Sequence, residues 1–437
     1  MAGGWFLVAV LSVASVVSYI DRQIINLLVE PIKQDLGMTD LQISLLQGFS
    51  FALFYAVMAL PLAWVADTQN RKWVVIGGVI FWSAASFSTG LATSFALLFA
   101  ARMAVGVGEA TLAPAGTSMI SDCFRQENLP AAVGVFTGSG FVGSGLALLL
   151  GSYVVNALTL AGPFEMLGRS FQPWQVTFMV VTLLSIPVLL LLALVREPVR
   201  RDGNRALAVD DAPSRLEVIT FLKANLQLIG LLALGLACLV AAQFGIGAWT
   251  PSFLIRVHGW TQLQVGQWFG PIVMAGGLAG VVGGGFAAQA LARRGVVDAS
   301  LRVTIAASLI AVPFAIAFPL VSNVWLSLAL LTAVLVLSTV PFGAGVSIFP
   351  SITPNRFRAQ VLALYLLIAN LVGYSLGPTT IALLTDRVFG DPLAIGRSLA
   401  IAPAATLLAG CALLAACLKP YRGTLAQRAA SALTAAT

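Results

Sequence analysis

The long stretches of this chain that contain no charged residue include positions 41–66, 73–101, 224–255 and 303–355. A helix needs about 20 apolar residues to cross a bilayer, so the last stretch is long enough for two crossings. Inside lipid no water satisfies the backbone, and only helices or a closed β-barrel can span it. Barrel strands alternate apolar and polar residues over about ten positions, whereas these stretches are apolar all round. The sequence therefore predicts an all-α membrane protein.

Charged residues, turn-forming residues and tryptophans divide the chain into twelve apolar segments. The first six lie near residues 5–29, 43–66, 73–93, 95–121, 131–159 and 174–195, and the second six near 225–255, 264–290, 302–321, 324–349, 360–385 and 395–418. Between the two sets, positions 196–223 carry eleven charged residues. We therefore expect an N-terminal six-helix half at 1–195, a cytoplasmic linker at 196–223, a C-terminal six-helix half at 224–420 and a cytoplasmic tail at 421–437.

The basic residues indicate which side of the membrane each loop faces. With both termini cytoplasmic, the inner loops and the tail hold 17 of the 24 Lys and Arg residues, and the outer loops hold five. This asymmetry agrees with the positive-inside rule and explains the net charge of +7 without a nucleic-acid partner. The first segment has no basic n-region, so we expect a retained helix and not a cleaved signal peptide. The expected location is the inner (plasma) membrane, and the alanine-rich composition favours a bacterial source.

The sequence lacks the residue sets that several kinds of chemistry require. The four cysteines lie in or beside apolar segments without a Cys-x-x-Cys pair, and we expect them to be small core residues. The only histidine, His258, falls in an outer loop, so no nucleophile–base set supports a membrane-embedded enzyme. No Gly-x-x-x-x-Gly-Lys-Ser/Thr loop is present, which argues against ATP as the direct energy source. We therefore predict neither an enzyme nor a metal or other cofactor.

Four charged residues lie deep inside apolar segments: Asp21 and Arg22 in the first, and Arg102 and Glu109 in the fourth. Each charge near the bilayer centre costs roughly 2.5–3.5 kcal/mol on insertion scales, so the set is a functional-site hypothesis. Asp21 and Arg102 lie at matching depths, roughly 10–12 Å below the outer surface at 1.5 Å per residue. Arg102 and Glu109 are two helical turns apart and therefore share one helix face.

These residues suit a charge switch. A carboxylate paired with a guanidinium stays ionised, and the same carboxylate opened to a low-dielectric space takes up a proton. We therefore predict proton coupling at Asp21 and Glu109, with the alternative that Glu109 holds Arg22 in place. A competing interpretation is a buried ion-pair network that orients the two helices and never titrates, although such pairs are costly to keep for stability alone.

The second half contains no comparable charge within its apolar segments, where the polar residues are neutral. A cavity with charges on one wall and an apolar opposite wall suits an amphiphile, whose anionic headgroup would meet Arg22 or Arg102. A small, very polar solute would instead be bound by polar residues of both halves. The predicted substrate-binding residues are Arg22, Arg102, Glu109, Gln243, Tyr365 and Asn370.

Two six-helix halves around a central cavity are the architecture of the major facilitator superfamily. A weak internal repeat supports this architecture. A polar residue at the end of the second or the eighth segment is followed, four and five positions later, by two basic residues. Asp67 is followed by Arg71 and Lys72, and Gln289 by Arg293 and Arg294.

Local motifs in the first third of the chain carry a more specific resemblance. They are Tyr19-Ile20-Asp21-Arg22, Asp67-x-x-Asn70-Arg71-Lys72, Phe81-Trp82-Ser83-Ala84, Ala101-Arg102-x-x-Val105-Gly106-Val107-Gly108-Glu109-Ala110 and Val142-Gly143-Ser144-Gly145. Over residues 19–145 the chain resembles the spinster family, whose animal members move sphingosine-1-phosphate and lysophospholipids. The resemblance implies alternating access, a proton-responsive acid at Asp21, and cavity roles for Arg22, Arg102 and Glu109.

The loop after the second segment resembles the gating loop of the superfamily, in which an acid interacts with the start of a neighbouring helix. The resemblance assigns Asp67, Arg71 and Lys72 to this loop. The chain departs from the pattern where a glycine, a basic residue and a second glycine are replaced by Ala63, Thr68 and Asn70. We therefore expect the acid to act without the full charge relay.

Together these features predict a secondary active transporter that moves an amphipathic, lipid-like substrate of the lysophospholipid or sphingolipid-phosphate type, with proton coupling. Its expected partners are the lipid or lysolipid substrate, protons and membrane lipids, and we expect a monomer. The nearest alternative is a major facilitator transporter of a hydrophilic organic anion or drug. A channel is disfavoured by the two-half architecture.

Overall fold

The computed structural model describes residues 2–125, 127–166, 168–200 and 215–436. Twelve helical segments in this part of the chain are long and apolar enough to cross a membrane, and we number them spans 1 to 12 in chain order. They are Gly3–Leu27, Asp40–Ala59, Arg71–Gly90, Phe95–Cys123, Leu129–Ala161, Pro173–Leu194, Leu226–His258, Gln262–Arg293, Ala299–Ala317, Val324–Ile352, Gln360–Phe389 and Pro392–Ala416. Each overlaps the apolar segment of the same rank, and the predicted all-α membrane fold is confirmed.

Five of the described spans depart locally from α geometry, and in spans 10 and 12 the departure is a short 3₁₀ turn, at Gly345–Ser347 and Pro392–Ala394. Span 1 is α-helical over Ala2–Gln23 and continues as a 3₁₀ turn over Ile24–Leu27. Span 2 contains a π turn at Leu45–Phe49 between helices Asp40–Ser44 and Ser50–Thr68. Span 11 consists of helix Arg358–Ile368, π turn Ala369–Tyr374, helix Ser375–Leu383 and π turn Leu384–Phe389. Such turns often mark hinges or functional sites.

Shorter elements lie inside or between the spans. Spans 4 and 6 each consist of two helices, Phe95–Glu109 with Leu112–Cys123, and Pro173–Thr182 with Ser185–Leu194. Strands β1 (Phe164–Met166) and β2 (Arg169–Phe171) form an antiparallel hairpin in which Phe164 pairs with Phe171. The remaining helices are Val29–Leu36, Arg215–Ala224 in the linker, Ile348–Ile352 at the end of span 10, and Leu418–Ala436 in the tail.

The chain forms two compact units. The first comprises Met1–Arg200, Gly247–Ala275 and Pro378–Ile395, and the second comprises Arg201–Ile246, Gly276–Gly377 and Gly396–Thr437. The first unit thus adds parts of spans 7, 8, 11 and 12 to the six N-terminal spans. The predicted division at 195, 223 and 420 stays a prediction, and residues 201–214 of the expected linker lie outside the described residues.

Glycines allow the spans of the first unit to approach until their backbones touch. A Cβ added to Gly106 would lie 2.6 Å from the carbonyl oxygen of Phe51, and one added to Gly108 would lie 2.7 Å from Cβ of Trp82. Span 4 therefore packs directly against spans 2 and 3 just before Glu109. Trp82 itself is fully buried in the core of this unit. The glycines of the Val105–Ala110 motif thus position the carboxylate that follows them.

The glycines of span 5 serve close packing in the same way. A Cβ on Gly143 would lie 2.8 Å from the carbonyl oxygen of Val16 in span 1. On the opposite side, a Cβ on Gly145 would lie 2.7 Å from the carbonyl oxygen of Gly270 in span 8. Small residues are the usual means of such close helix contact in membranes.

In the second unit, the linker and tail helices attach to the ends of spans. The ring of Phe221 in the linker helix stacks on Phe357, with centroids 4.4 Å apart. In the tail helix, Nε of Arg422 donates to the Asp298 carboxylate at 2.5 Å, and the same carboxylate accepts from Arg302 at 2.8 Å. Burial by itself raises the pKa of Asp298, but the hydrogen bonds from Arg422 and Arg302 outweigh it and lower this pKa below its ordinary value.

We expect Asp298→Asn to weaken the attachment of the tail helix and to lower the free energy of unfolding by about 1–2 kcal/mol, the range for charge-assisted bonds with half-exposed partners. Because the folded-state pKa of Asp298 is lowered, its contribution is present at neutral pH and is lost as the pH falls through that lowered pKa. Thermal unfolding in detergent at pH 7 and at a series of pH values below about 4, the ordinary pKa range of an aspartate, measures both effects. Glu127→Gln, at an exposed acid, is the control, and equal melting temperatures for Asp298→Asn and Glu127→Gln at pH 7 would refute this attachment.

Candidate functional site

The structure brings the four intramembrane charges of the first unit together. Asp21 and Arg22 lie in the last α-helical turn of span 1, and Arg102 and Glu109 lie on one face of span 4. All four are buried, with Arg22 the most exposed at 8%. The Arg22 guanidinium forms an ion pair with the Glu109 carboxylate. We call these four residues the Asp21 cluster.

Arg102 binds the end of span 1 through its backbone. Its two terminal nitrogens donate to the carbonyl oxygens of Asp21 at 3.3 Å and Arg22 at 3.2 Å. These carbonyls lie where the α-helix gives way to a 3₁₀ turn, so they form part of the negative end of the helix dipole, which attracts a cation. Arg102 therefore holds the turn that carries Asp21 and Arg22, in addition to supplying charge.

The Asp21 carboxylate accepts a hydrogen bond from the hydroxyl of Ser86 in span 3. Ser86 is fully buried and was not among the residues that the sequence singled out. With two acids and two guanidinium groups, the Asp21 cluster has a formal charge of zero when every member is ionised. Mutual neutralisation offsets the cost of burying the charges, and the loss of one partner would leave another uncompensated.

Aromatic rings surround the Arg22 guanidinium. Its central carbon lies 4.0 Å from the ring centroid of Phe51, 4.7 Å from that of Tyr19 and 5.7 Å from that of Tyr55. Such rings stabilise a desolvated cation and leave it able to change its anionic partner. Oε1 of Glu109 accepts no hydrogen bond from the described residues, so the carboxylate retains an unused acceptor for a proton or a hydrogen-bond donor.

The predicted binding residues of the second half lie in the second unit. Oε1 of Gln243 accepts from the hydroxyl of Ser338. The Tyr365 ring lies 4.9 Å from that of Phe349, and Asn370 lies on the π turn of span 11. Their role in binding stays a prediction.

The loop after span 2 is organised around Arg71, which is 2% exposed. Its guanidinium donates to Glu197 at 2.9 Å and to Asp122 at 2.5 Å. Glu197 also accepts from the backbone N–H groups of Arg71 at 3.2 Å and Lys72 at 2.8 Å, and so caps the start of span 3.

The Asp67 carbonyl in the same loop accepts from Arg200. Sequence analysis missed Asp122 and counted Glu197 only as a linker charge, and the gating role of Asp67, Arg71 and Lys72 stays a prediction.

A second charged group, the Arg256 cluster, consists of Glu30, Lys33, Asp40 and Arg256. Arg256, near the end of span 7, donates through both terminal nitrogens to Asp40, at 2.7 and 2.8 Å, and through Nε to Glu30 at 2.8 Å. Lys33 provides a second cation to Asp40, whose side chain is fully buried. Two-pronged pairing of this kind is strong and depends on geometry. It joins span 7 to the start of span 2 on the side predicted to face outward.

Sequence analysis missed the Arg256 cluster. Lys33 and Arg256 were counted only as outer-loop cations, and Asp40 was not singled out. The sequence did contain an indication of this proximity. In the predicted topology span 2 begins and span 7 ends at the outer surface, so Asp40 and Arg256 lie at the same membrane surface. The backbone N–H of Leu41 also donates to Asp386 at 2.7 Å, which joins span 11 to the same point.

A polytopic helical fold with buried compensated charges is typical of a membrane transporter. The profile of the Major Facilitator Superfamily matches residues 11–378, and the chain belongs to this superfamily. A bacterial homologue of the human lysosomal transporter Spinster, in an inward-facing and unoccupied conformation, superposes with a TM-score of 0.78 and 25% identity over 97% of both chains. Together with the sequence relatives, this match confirms the resemblance to spinster-type transporters.

Two sequence relatives show how far the likeness extends. An MFS-type efflux pump of Mycolicibacterium smegmatis is 27% identical over 93% of this chain and 90% of its own length. Protein spinster of Drosophila melanogaster is 27% identical over 66% of this chain, and the match covers 46% of that protein. The chain therefore aligns with about half of the longer spinster protein.

We expect Arg256→Gln to separate span 7 from span 2, because Asp40 and Glu30 would lose their main cationic partner. Removing one partner of a buried charge pair typically costs about 2–5 kcal/mol, enough to shift a two-state equilibrium by more than tenfold. Spin labels at the exposed positions Gln34 and Val257 would report the distance in liposomes by pulsed electron resonance. The exposed Arg397→Gln is the matched control, and a distance distribution unchanged by Arg256→Gln alone would contradict the assignment.

Proposed function

We propose that this chain is a secondary active transporter that moves an amphipathic, lipid-like cargo by alternating access coupled to protons. The cargo class is a lysophospholipid or a sphingolipid phosphate, with an anionic headgroup. The observation that supports the proposal most is the Asp21 cluster, in which buried Arg22 is paired with Glu109 beside a second acid. We further propose a monomer in a bacterial inner membrane with both termini cytoplasmic, in agreement with the basic loop residues.

The Glu109 carboxylate and the cargo headgroup compete for Arg22, and a proton on Glu109 decides between them. While Glu109 is ionised, its carboxylate neutralises the Arg22 guanidinium. A proton on Glu109 removes that charge, and Arg22 then needs another anion to compensate it in the low-dielectric interior. An anionic headgroup supplies the missing charge. Proton binding at Glu109 and headgroup binding at Arg22 therefore favour each other, and Asp21 provides a second protonation site held by Ser86.

The distribution of polar groups favours a cargo with one charged end. The Asp21 cluster lies in the first unit, whereas Gln243, Tyr365 and Asn370 of the second unit are neutral. We propose that the headgroup meets Arg22 and Arg102 and that the neutral residues line the path of the hydrocarbon chain. A mouse relative that is 33% identical over 34% of this chain is named a sphingosine-1-phosphate transporter, which supports a lipid-phosphate cargo.

Alternating access also requires contacts that stabilise one state and break in the other. We propose the Arg256 cluster as the contact on one side of the membrane. For the other side we propose the ion pairs of Arg71 with Asp122 and Glu197. Asp67 and Lys72 belong to the same contact. Both are built from charge-assisted hydrogen bonds, which are strong when dry and weaken when water enters.

The second candidate function is transport of a hydrophilic organic anion or drug. One observation favours it: the relative aligned over 93% of this chain is named an efflux pump. The Arg22 and Arg102 pair would then bind the anionic group of a small solute.

Flux measurements in proteoliposomes test both candidates. We expect saturable flux of a labelled lysophospholipid that depends on an imposed pH gradient, and we expect Asp21→Asn and Glu109→Gln each to reduce the gradient-driven part about tenfold or more, since each removes a protonation site. The exposed Glu165→Gln is the control. Saturable flux of polar anions alone would defeat the lipid proposal, and unaltered pH dependence in both variants would defeat the proton proposal.

A further inference from the structure

Two irregular turns of the first unit are joined by one buried hydrogen bond. Asn26 lies on the 3₁₀ turn of span 1, and Gln47 lies on the π turn of span 2. Their exposed fractions are 5% and 7%. Nε2 of Gln47 donates to Oδ1 of Asn26 at 3.0 Å. Both partners therefore sit where the helix is locally over- or underwound, which is where spans commonly bend.

The bond belongs to a chain of amides that starts beside the Asp21 cluster. Nδ2 of Asn26 donates to Oε1 of Gln23 at 2.6 Å, and Gln23 directly follows Arg22. At the other end, Nε2 of Gln47 also donates to the carbonyl oxygen of Ala248 in span 7, at 3.2 Å. The amide of Gln47 thus touches spans 1 and 7 at once.

The contact of Gln47 with span 7 continues the contacts of the Arg256 cluster. Asp40 precedes Gln47 by two helical turns in span 2, and Ala248 precedes Arg256 by about the same length in span 7. Since Asp40 pairs with Arg256 and Gln47 with Ala248, the two spans run in opposite directions past each other. At 1.5 Å per residue the two contacts lie about 10–12 Å apart along the spans.

Packing alone does not explain the amide. Oε1 of Gln47 accepts no hydrogen bond from the described residues, although the side chain is buried. A half-satisfied buried amide is less favourable than an apolar side chain of the same volume. A methionine would fill the same volume but would leave the acceptors on Asn26 and Ala248 without this donor, so what the amide adds is the link from span 2 to spans 1 and 7.

We propose that Gln47 is a positioning residue that transmits the state of the Asp21 cluster to the Arg256 cluster. This inference rests on the proposed function. When Arg22 changes its partner, the last turn of span 1 shifts, and Gln23 and Asn26 shift with it. Gln47 then loses its acceptor Asn26 on span 1 and its hydrogen bond to the carbonyl oxygen of Ala248. The contact between spans 2 and 7 weakens first at Gln47, the end farther from the Arg256 cluster.

The amide chain itself contains no titratable group, so any pH response comes from the groups at its ends. At one end these are Asp21, Arg22, Arg102 and Glu109, with Tyr19 and Tyr55 beside Arg22. At the other end they are Glu30, Lys33, Asp40 and Arg256, together with Asp386 of span 11, which accepts from the backbone N–H of Leu41.

A double-variant cycle tests the transmission. The distance between labels at Gln34 and Val257 is measured in liposomes for the wild type, Asp21→Asn, Gln47→Met and the double variant. Methionine keeps the volume and removes the amide. We expect Asp21→Asn to shift the ratio of short to long distances about tenfold in the wild-type background and less than about twofold in the Gln47→Met background, as coupled residues are non-additive. Gln267→Met, at an amide that donates to Tyr153 in span 5, is the matched control background and should retain the full shift.

Two results would overturn the inference: an equal shift in the Gln47→Met and wild-type backgrounds, or no shift on Asp21→Asn in the wild type. If Gln47→Met fails to fold, Asn26→Leu cuts the same hydrogen bond from span 1 and is judged by the same criteria. The cycle measures a distance and needs no cargo. Absence of lipid flux in the wild type would therefore reject the proposed function while the cycle still decides the inference.

Discussion

The structure depends on keeping four charges inside the membrane. The membrane tolerates Asp21, Arg22, Arg102 and Glu109 only as a set, because two acids and two guanidinium groups are neutral together and Glu109 is paired with Arg22. Close packing makes this possible: Gly106 and Gly108 let span 4 touch spans 2 and 3, and Arg102 binds the carbonyls that end the α-helix of span 1. A change of one charge therefore disturbs the backbone as well as the ion pair.

The Asp21 cluster lies between two further charged groups of the first unit. The Arg256 cluster joins span 7 to the start of span 2, and Arg71 joins the start of span 3 to Asp122 and Glu197. Proton binding in the middle can affect function only if these contacts respond to it. The amide chain through Gln47 provides a physical connection to one of them, by way of hydrogen bonds and not through space.

Much of the fold and part of the site could be predicted from the sequence, for identifiable reasons. Hydropathy located all twelve spans, since lipid demands long apolar helices. Helix geometry placed Arg102 and Glu109 on one face. The contact of Arg102 with backbone carbonyls could not be predicted, because no glycine or proline marks the end of the α-helix at Gln23. The pairs of Arg256 with Asp40 and of Arg71 with Glu197 join distant parts of the chain. The predicted topology places Asp40 and Arg256 at one membrane surface, but nothing in the neighbouring sequence identifies the partner in either pair.

The central claim is that a proton and an anionic headgroup bind together at the Asp21 cluster. Proton exchange by the purified protein in weakly buffered liposomes, on addition of a lysophospholipid, measures this coupling directly. The account predicts proton uptake by the wild type and little uptake by Glu109→Gln at the same lipid occupancy. Saturable lipid binding by the wild type with no proton uptake at any pH at which the protein stays folded would contradict it.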